Sequence, residues 1–435
     1  MTRESPPLED LLRKLAPQVL GVLTRRNGQF DACEDAVQEA LLEASLQWAQ
    51  GCLPDNPFHW LMTVAQRRLV DQWRSESARR RREGTFTLQF STRQPEGGAP
   101  DSCAGDDVVT PDADDTLMLL YLCCHPALSP PSQLALTLRA VGGLTCAQIA
   151  SAFMVPEATM AQRISRAKGS ITRAGARFEV PTPAETMART AVVQQVLYLI
   201  FNEGYAASSG RSLQRTDLTG EAIRLTRLLL GVTPATNVAR AETCGLLALM
   251  LLTDARRSAR TLADGALVPL SEQDRSLWDA GQIREGVLLL TSTLGKVPIG
   301  PYQVQAAIAA IHDEASRVED TDWPQILALY EVLEQVAPSP IVTLNRAVAV
   351  AMVKGPLAGL AVLGTVEKDP QLARSHRPLA VRAHLLELSG HVAAAREAYL
   401  VAAAATASLP ERRYLAGRAA RLTQQPHRPQ DHSEG

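Results

Sequence analysis

Residues 144–169, LTCAQIASAFMVPEATMAQRISRAKG, read as two short helices joined by a tight turn. Thr145, followed three residues later by Gln148, has the form of a capping box that opens a first helix, whose Ile149, Ala150 and Phe153 supply apolar contacts. Pro156 cannot continue a helix interior but suits the start of a new one, so residues 154–156 form the turn and 157–168 the second helix. On that helix Thr159, Gln162, Arg163 and Arg166 share a face, which leaves Met160, Ile164 and Ala167 for packing. This is the pattern of a helix-turn-helix whose second helix can enter a major groove. An ordinary helical hairpin on a protein surface has the same pattern, so the neighbouring sequence must decide.

Charge outward from this stretch is sorted into blocks. The net charge of -2 conceals them. Residues 31–43 hold five carboxylates and no Lys or Arg, whereas 60–82 hold seven Arg against Asp71 and Glu76. Residues 83–115 hold eight carboxylates and only Arg93, and 139–177 hold six basic residues against Glu157. Two basic stretches separated by an acidic strap suggest two phosphate-facing modules, because phosphate neutralisation supplies most non-specific nucleic-acid affinity.

A chain of 435 residues, 46% hydrophobic, can bury several cores. It holds no long uncharged apolar run, and MTRESPPLEDLLRK lacks the apolar region of a secretory signal, so the expectation is a cytoplasmic protein without a membrane segment. Seven cysteines without framework spacing read as free thiols. Strand-like alternation is scarce and Ala and Leu dominate with helical periodicity, which predicts an all-α fold. The expected division is a helical domain over 8–82, an acidic flexible linker over 83–115, a second helical domain over 116–177 and a helical extension over 183–425. EVPTPAE at 179–185 breaks the helices before the extension.

In the first domain Asp35, Glu39 and Glu43 fall at i, i+4 and i+8, an acidic stripe with Gln38 and Leu42 beside it. Like charges so placed destabilise an isolated helix, which points to a basic partner; a merely solvated face is the alternative. Trp48, Trp60 and Trp73 lie with Phe58 beside an Arg-rich helix, as in surfaces that capture single-stranded DNA, although WLMTVAQRRLV puts Trp60 on the apolar side of an amphipathic helix.

These residues carry a family resemblance. EDAVQEALLEA, then DNPFHWLMTVAQRRLVDQWRSESARRR, an acidic linker, and GGLTCAQIASAFMVPEATMAQRISRAK resemble regions two and four of the extracytoplasmic-function (ECF) sigma factors of RNA polymerase, in the sigma-70 family. LMLLYLCCHPALSPPSQLALTLRAVGGLT and FNEGYAAS at 201–208 resemble a group of these factors with a long C-terminal extension of tetratricopeptide-like repeats. The resemblance implies two small helical sigma domains, the second with the helix-turn-helix, and a transcription initiation factor rather than an enzyme, without catalytic residues, cofactor or metal. It implies that Asp35, Gln38, Glu39 and Glu43 meet the beta-prime clamp helices of core RNA polymerase, the beta flap being a further partner. Residues 48–57 and the following helix would open the downstream promoter element, with Arg67, Arg68, Arg74, Arg79 and Arg80, and Arg81 and Arg82 beside them, on the DNA backbone. Thr159, Gln162, Arg163 and Arg166 would read the upstream element, Arg bidentate to guanine and Gln to adenine. The acidic linker would thread the RNA exit path.

Cys123, Cys124 and His125 invite a zinc reading, but adjacent cysteines diverge by about 100 degrees on a helix and no second ligand cluster follows, so packing is the expectation. Further along, Arg346-Ala347, Arg382-Ala383 and Arg418-Ala419 recur every 36 residues, and the helix ends at Gly355 and Gly390 are 35 apart. Such a period predicts stacked helix pairs from about residue 320, whose concave surface can take a regulatory protein. Gly204 in FNEGYAAS suggests a bend or close packing; Asn202, Glu203 and Tyr205 offer no chemistry of their own. A one-component helix-turn-helix regulator with a repeat-type sensor remains the alternative, and it leaves the acidic stripe and aromatic-basic helix without a use.

Overall fold

The computed structural model describes residues 8–49, 53–87, 113–153, 155–176, 178, 183–206, 214–233, 239–262, 265–295, 298–373 and 375–424. They fall into two compact units, Met1–Ser151 with Val155–Val196, and Leu197–Gly435 with Ala152–Met154. The fold is all-α; the nearest approach to β structure among the described residues is an isolated bridge between Thr261 and Leu267.

The first unit begins with α1 (Leu8–Asn27), α2 (Phe30–Trp48) and α3 (Pro57–Thr87). Gly28, with φ at +69°, ends α1 in the left-handed conformation that favours glycine, and its amide reaches back to the Thr24 carbonyl. Asn56 opens α3 by accepting the His59 amide at 3.0 Å, and Pro57 occupies a position where its missing N–H costs nothing. Val19, Leu20 and Leu23 are buried, as are Val37, Ala40, Leu61, Ala65 and Leu69, on the apolar faces of the three helices. Helix α3 runs five residues past the expected boundary at 82, ending at Thr87.

Next come α4 (Ala113–Cys123), α5 (Pro130–Ala140), α6 (Cys146–Ala152) and α7 (Glu157–Arg173) around Leu119, Leu120, Leu136, Leu138, Ile149 and Met160. Helix α4 starts inside the expected linker, and Asp115 is buried beside Arg25 of α1, at 3.2 Å. Residues 88–112, the rest of that linker, lie outside the described residues. Cys123 and Cys124 are packing residues, with burial pushing the Cys124 thiol up to about 12 and its sulfur 3.7 Å from the Thr137 hydroxyl.

Helix α8 (Pro183–Tyr205) contributes residues to both units; within the first, Thr190 shares a hydrogen bond of 3.0 Å with the Tyr121 hydroxyl. The second unit continues with α9 (Thr216–Val232), α10 (Ala239–Asp254), α11 (Ala280–Thr293), α12 (Pro301–Glu314), α13 (Trp323–Val336), α14 (Pro340–Lys354), α15 (Pro356–Gly364), α16 (Arg377–Leu388), α17 (Val392–Ala405) and α18 (Leu409–Gln424). Helix α12 packs chiefly on α10, and from α13 onward each helix packs chiefly on its neighbours in sequence, so the core is a chain of small clusters rather than one centre. The period of 36 has a physical basis here. Ala347, Ala383 and Ala419 are all buried where helices approach closely, and each preceding Arg holds a glutamate: Arg346 with Glu334, Arg382 with Glu367, Arg418 with Glu387. Gly355 and Gly390 have φ of +90° and +79° at the turns after α14 and α16.

Gly204 marks close packing and not a bend. It lies within α8, and a Cβ there would meet the Thr219 nitrogen at 2.7 Å and the Leu218 Cβ at 2.8 Å, at the start of α9. Gly204→Ala is therefore expected to cost about 1–3 kcal/mol, since neither helix can yield without shifting its neighbours. A thermal midpoint equal to that of the unaltered chain would refute this close approach.

Candidate nucleic-acid interface

The local sequence builds the helix-turn-helix as its residues predict. The Thr145 amide donates to Gln148 Oε1 at 2.8 Å, and the Gln148 amide donates to Thr145 Oγ1 at 3.2 Å, closing a reciprocal cap on α6. Helix α7 starts after Pro156 and extends to Arg173, five residues beyond the expected end, because Ile171 adds another buried turn. Met160, Ile164 and Ala167 are buried, while Thr159, Gln162 and Arg166 are exposed and Arg163 is half-buried. The polar face is thus presented as one surface, with an arginine rooted at its edge.

In the first three helices Asp35 and Glu39 are exposed on α2, with Gln38 and Glu43 half-buried beside them. The stripe has basic partners within the chain. Arg68 of α3 reaches Glu43 at 2.8 Å and Glu39 at 3.7 Å, so one of the predicted DNA-contacting arginines is joined to two of the predicted polymerase-facing carboxylates. Arg67 and Arg74 are exposed on the same helix, and Arg74 stands 3.9 Å from Asp71. Arg79 and Arg80 lie on α3, but their side chains fall outside the described residues. The tryptophans hold this module together: Trp48 is buried with Trp60 edge-on at 5.3 Å, and Trp73 donates to Gln29 at 3.2 Å. Leu42 and Leu46, each 63% exposed, add an apolar strip beside the acidic one.

Three residues that periodicity does not single out form a buried ionic cluster. Glu34, 1% exposed, accepts from Arg139 Nε at 2.9 Å and from Lys168 Nζ at 3.1 Å, and Lys168 also reaches Asp31 and Asp35 at 2.7 Å each. Burial by itself would lower the Lys168 ammonium, but Glu34, Asp31 and Asp35 outweigh it and hold it above the ordinary lysine value. Lys168 stands on α7, on the same helix as Thr159, Gln162, Arg163 and Arg166, and Glu34 on α2 one residue off the stripe. Their pairing across 134 residues has no signal in local sequence.

In the second unit a cavity of about 580 Å³ is lined by Trp323, Tyr330, Tyr414, His312, Asn345 and Arg418 among others. Its charges are internally matched: Arg418 reaches Glu387 at 2.5 Å and Glu272 at 3.1 Å, and burial lowers His312 to about 4, helped by Arg256 and Arg275. No group of three or more His, Cys, Asp or Glu with metal-binding geometry occurs among the described residues. Nor is any described helix long and apolar enough to cross a membrane.

Comparison with known proteins adds to this geometry. Residues 11–79 match the family model of sigma-70 region 2, residues 118–171 that of sigma-70 region 4, and residues 189–294 a family of unknown function, DUF6596. The chain is 40% identical over 402 residues to an uncharacterized protein of Rhizobium meliloti (strain 1021), covering 92% of each. No solved structure matches it.

Proposed function

The chain belongs to the sigma-70 family as a factor with a long C-terminal extension, and from that premise we propose that it is an ECF-type sigma factor. Membership already gives it a non-enzymatic part in transcription initiation, in association with core RNA polymerase and promoter DNA. In the finer reading, Asp35, Gln38, Glu39 and Glu43 of α2, with the apolar Leu42 and Leu46, face the clamp helices of the beta-prime subunit. Arg67, Arg68, Arg74, Arg79 and Arg80 hold the opened downstream strand, and Thr159, Gln162, Arg163 and Arg166 read the upstream element. The observation that carries this reading is the shared exposed face of Thr159, Gln162 and Arg166 on a helix whose other side is packed. The extension, whose helix pairs suit a tetratricopeptide-like array, modulates that activity from the cytoplasm, in cis or by holding a regulatory protein.

Run-off transcription with purified core polymerase and promoters from the source genome tests the proposal. Arg163→Ala and Arg166→Ala are expected to lose about 1–3 kcal/mol of discrimination between the promoter and its mismatched variants, the cost of a bidentate base contact. Uniform weakening on all DNA sequences would reduce both arginines to phosphate contacts and remove the base-reading assignment. No promoter-dependent transcript from the unaltered chain would refute the proposal itself.

A further inference from the structure

Asp35 belongs to the surface assigned above to core polymerase, yet its carboxylate is already engaged by Lys168 of region 4 at 2.7 Å. The engagement is a built contact. Lys168 keeps only 8% of its side chain exposed, Glu34 beneath it 2%, and Arg139 closes the other side of Glu34. Two further close approaches seat the same modules. A Cβ on Gly21 of α1 would stand 2.8 Å from the Asp115 Cβ, and one on Gly143, where φ is +66°, 3.2 Å from the Arg13 backbone. Each contact joins a residue of the region 2 stretch to one within region 4 or at its entrance. Two modules that must engage separate promoter elements gain nothing from being packed face to face on DNA, whereas a basic polymerase surface and Lys168 need the same carboxylate.

We infer that Lys168 and Arg139 latch region 4 onto the α2 carboxylates of the free protein, and that core polymerase takes Asp35 only by displacing Lys168. The inference rests on the reading that α2 faces the polymerase. The latch lowers apparent affinity by the fraction of chains held closed, so releasing it strengthens core binding without adding a contact. Asp31 and Asp35 are half-exposed, which lets an incoming cation approach the cluster from solvent while Glu34 and Lys168 remain covered.

A carbodiimide joins an amine to a carboxylate in direct contact, and mass spectrometry of the full-length chain then reads the bond. The expected result is a link from Lys168 to Asp31 or Asp35 in the free chain. It should disappear when saturating core polymerase is added first, and the pre-linked chain should fail to bind core. Lys168→Glu, which sets a like charge against the cluster, should bind core about tenfold more tightly than the unaltered chain. If that variant does not fold, Lys168→Met serves with a smaller gain. Absence of the link in the free chain, or its formation at full yield in the complex, overturns the latch, as does unchanged affinity in both variants. If neither the unaltered chain nor Lys168→Glu binds core, the polymerase reading of α2 falls, and the free-chain link still decides whether the modules are latched.

Discussion

Glu34→Gln is expected to destabilise the first unit by about 3–5 kcal/mol, the usual consequence of removing one partner from a buried ion pair. The substitution keeps the shape of the side chain and takes away the charge. Lys168 then remains 8% exposed with only the half-exposed Asp31 and Asp35, and Arg139 loses its carboxylate at 2.9 Å. Lys168→Met should cost far less, because it removes a desolvated cation and leaves Glu34 paired with Arg139. The double variant should be more stable than Glu34→Gln alone, since the buried ammonium is what Glu34→Gln strands. Native-state hydrogen exchange along α2 and α7 separates these cases within the intact chain, without assuming that the two units unfold together. Protection lowered by less than about 1 kcal/mol in Glu34→Gln would mean that water reaches the cluster and that its burial is not maintained in solution.

That cluster also marks where reading the sequence ended. Capping, turn chemistry and helical periodicity are local, and they gave the helix-turn-helix with its buried Met160, Ile164 and Ala167 and its start after Pro156. The repeat was legible for the same reason, as a spacing of 36 with Ala347, Ala383 and Ala419 each buried. Boundaries were less so: α3 continues to Thr87 through Gly84 and Thr85, residues of low helix propensity, and Asp115 is buried when its neighbours suggest an exposed acidic strap. In the candidate site the acidic stripe was visible as a period of four, but its partners were not. Arg68 lies on the next helix and Lys168 on a different module, and long-range charge pairing leaves no periodic trace. The beginning of α8 is a further case, since Thr190 bonds to Tyr121 and residues up to Val196 belong with the first unit.

The second unit is expected to lose stability as pH rises from about 5 to 8, and Glu242→Gln is expected to remove most of that loss. Glu242 of α10 accepts the amides of Tyr302 and Gln303 at the start of α12, where Gly300 has no side chain to offer as a cap. Burial raises its carboxyl to about 7, outweighing the two amides that favour the ionised form. In the unfolded chain the group titrates near the ordinary glutamate value of about 4.3. Between those values the folded state holds a proton that the unfolded state has released, so the contribution is complete below the unfolded value and is lost as pH climbs through about 7. A displacement of this size corresponds to about 3 kcal/mol. Glutamine keeps an acceptor oxygen for the amides of α12 and does not ionise, so the variant should overtake the unaltered chain above neutrality. Asp313, raised to about 6 by burial, acts in the same direction, and His312, lowered to about 4 by burial and two arginines, acts in the opposite one. Both remain in the variant, so the difference between the two denaturation profiles at each pH isolates Glu242. Parallel profiles from pH 5 to 8 would show that its carboxylate is solvated in the folded chain, and that α12 is capped by an ordinary ionised glutamate.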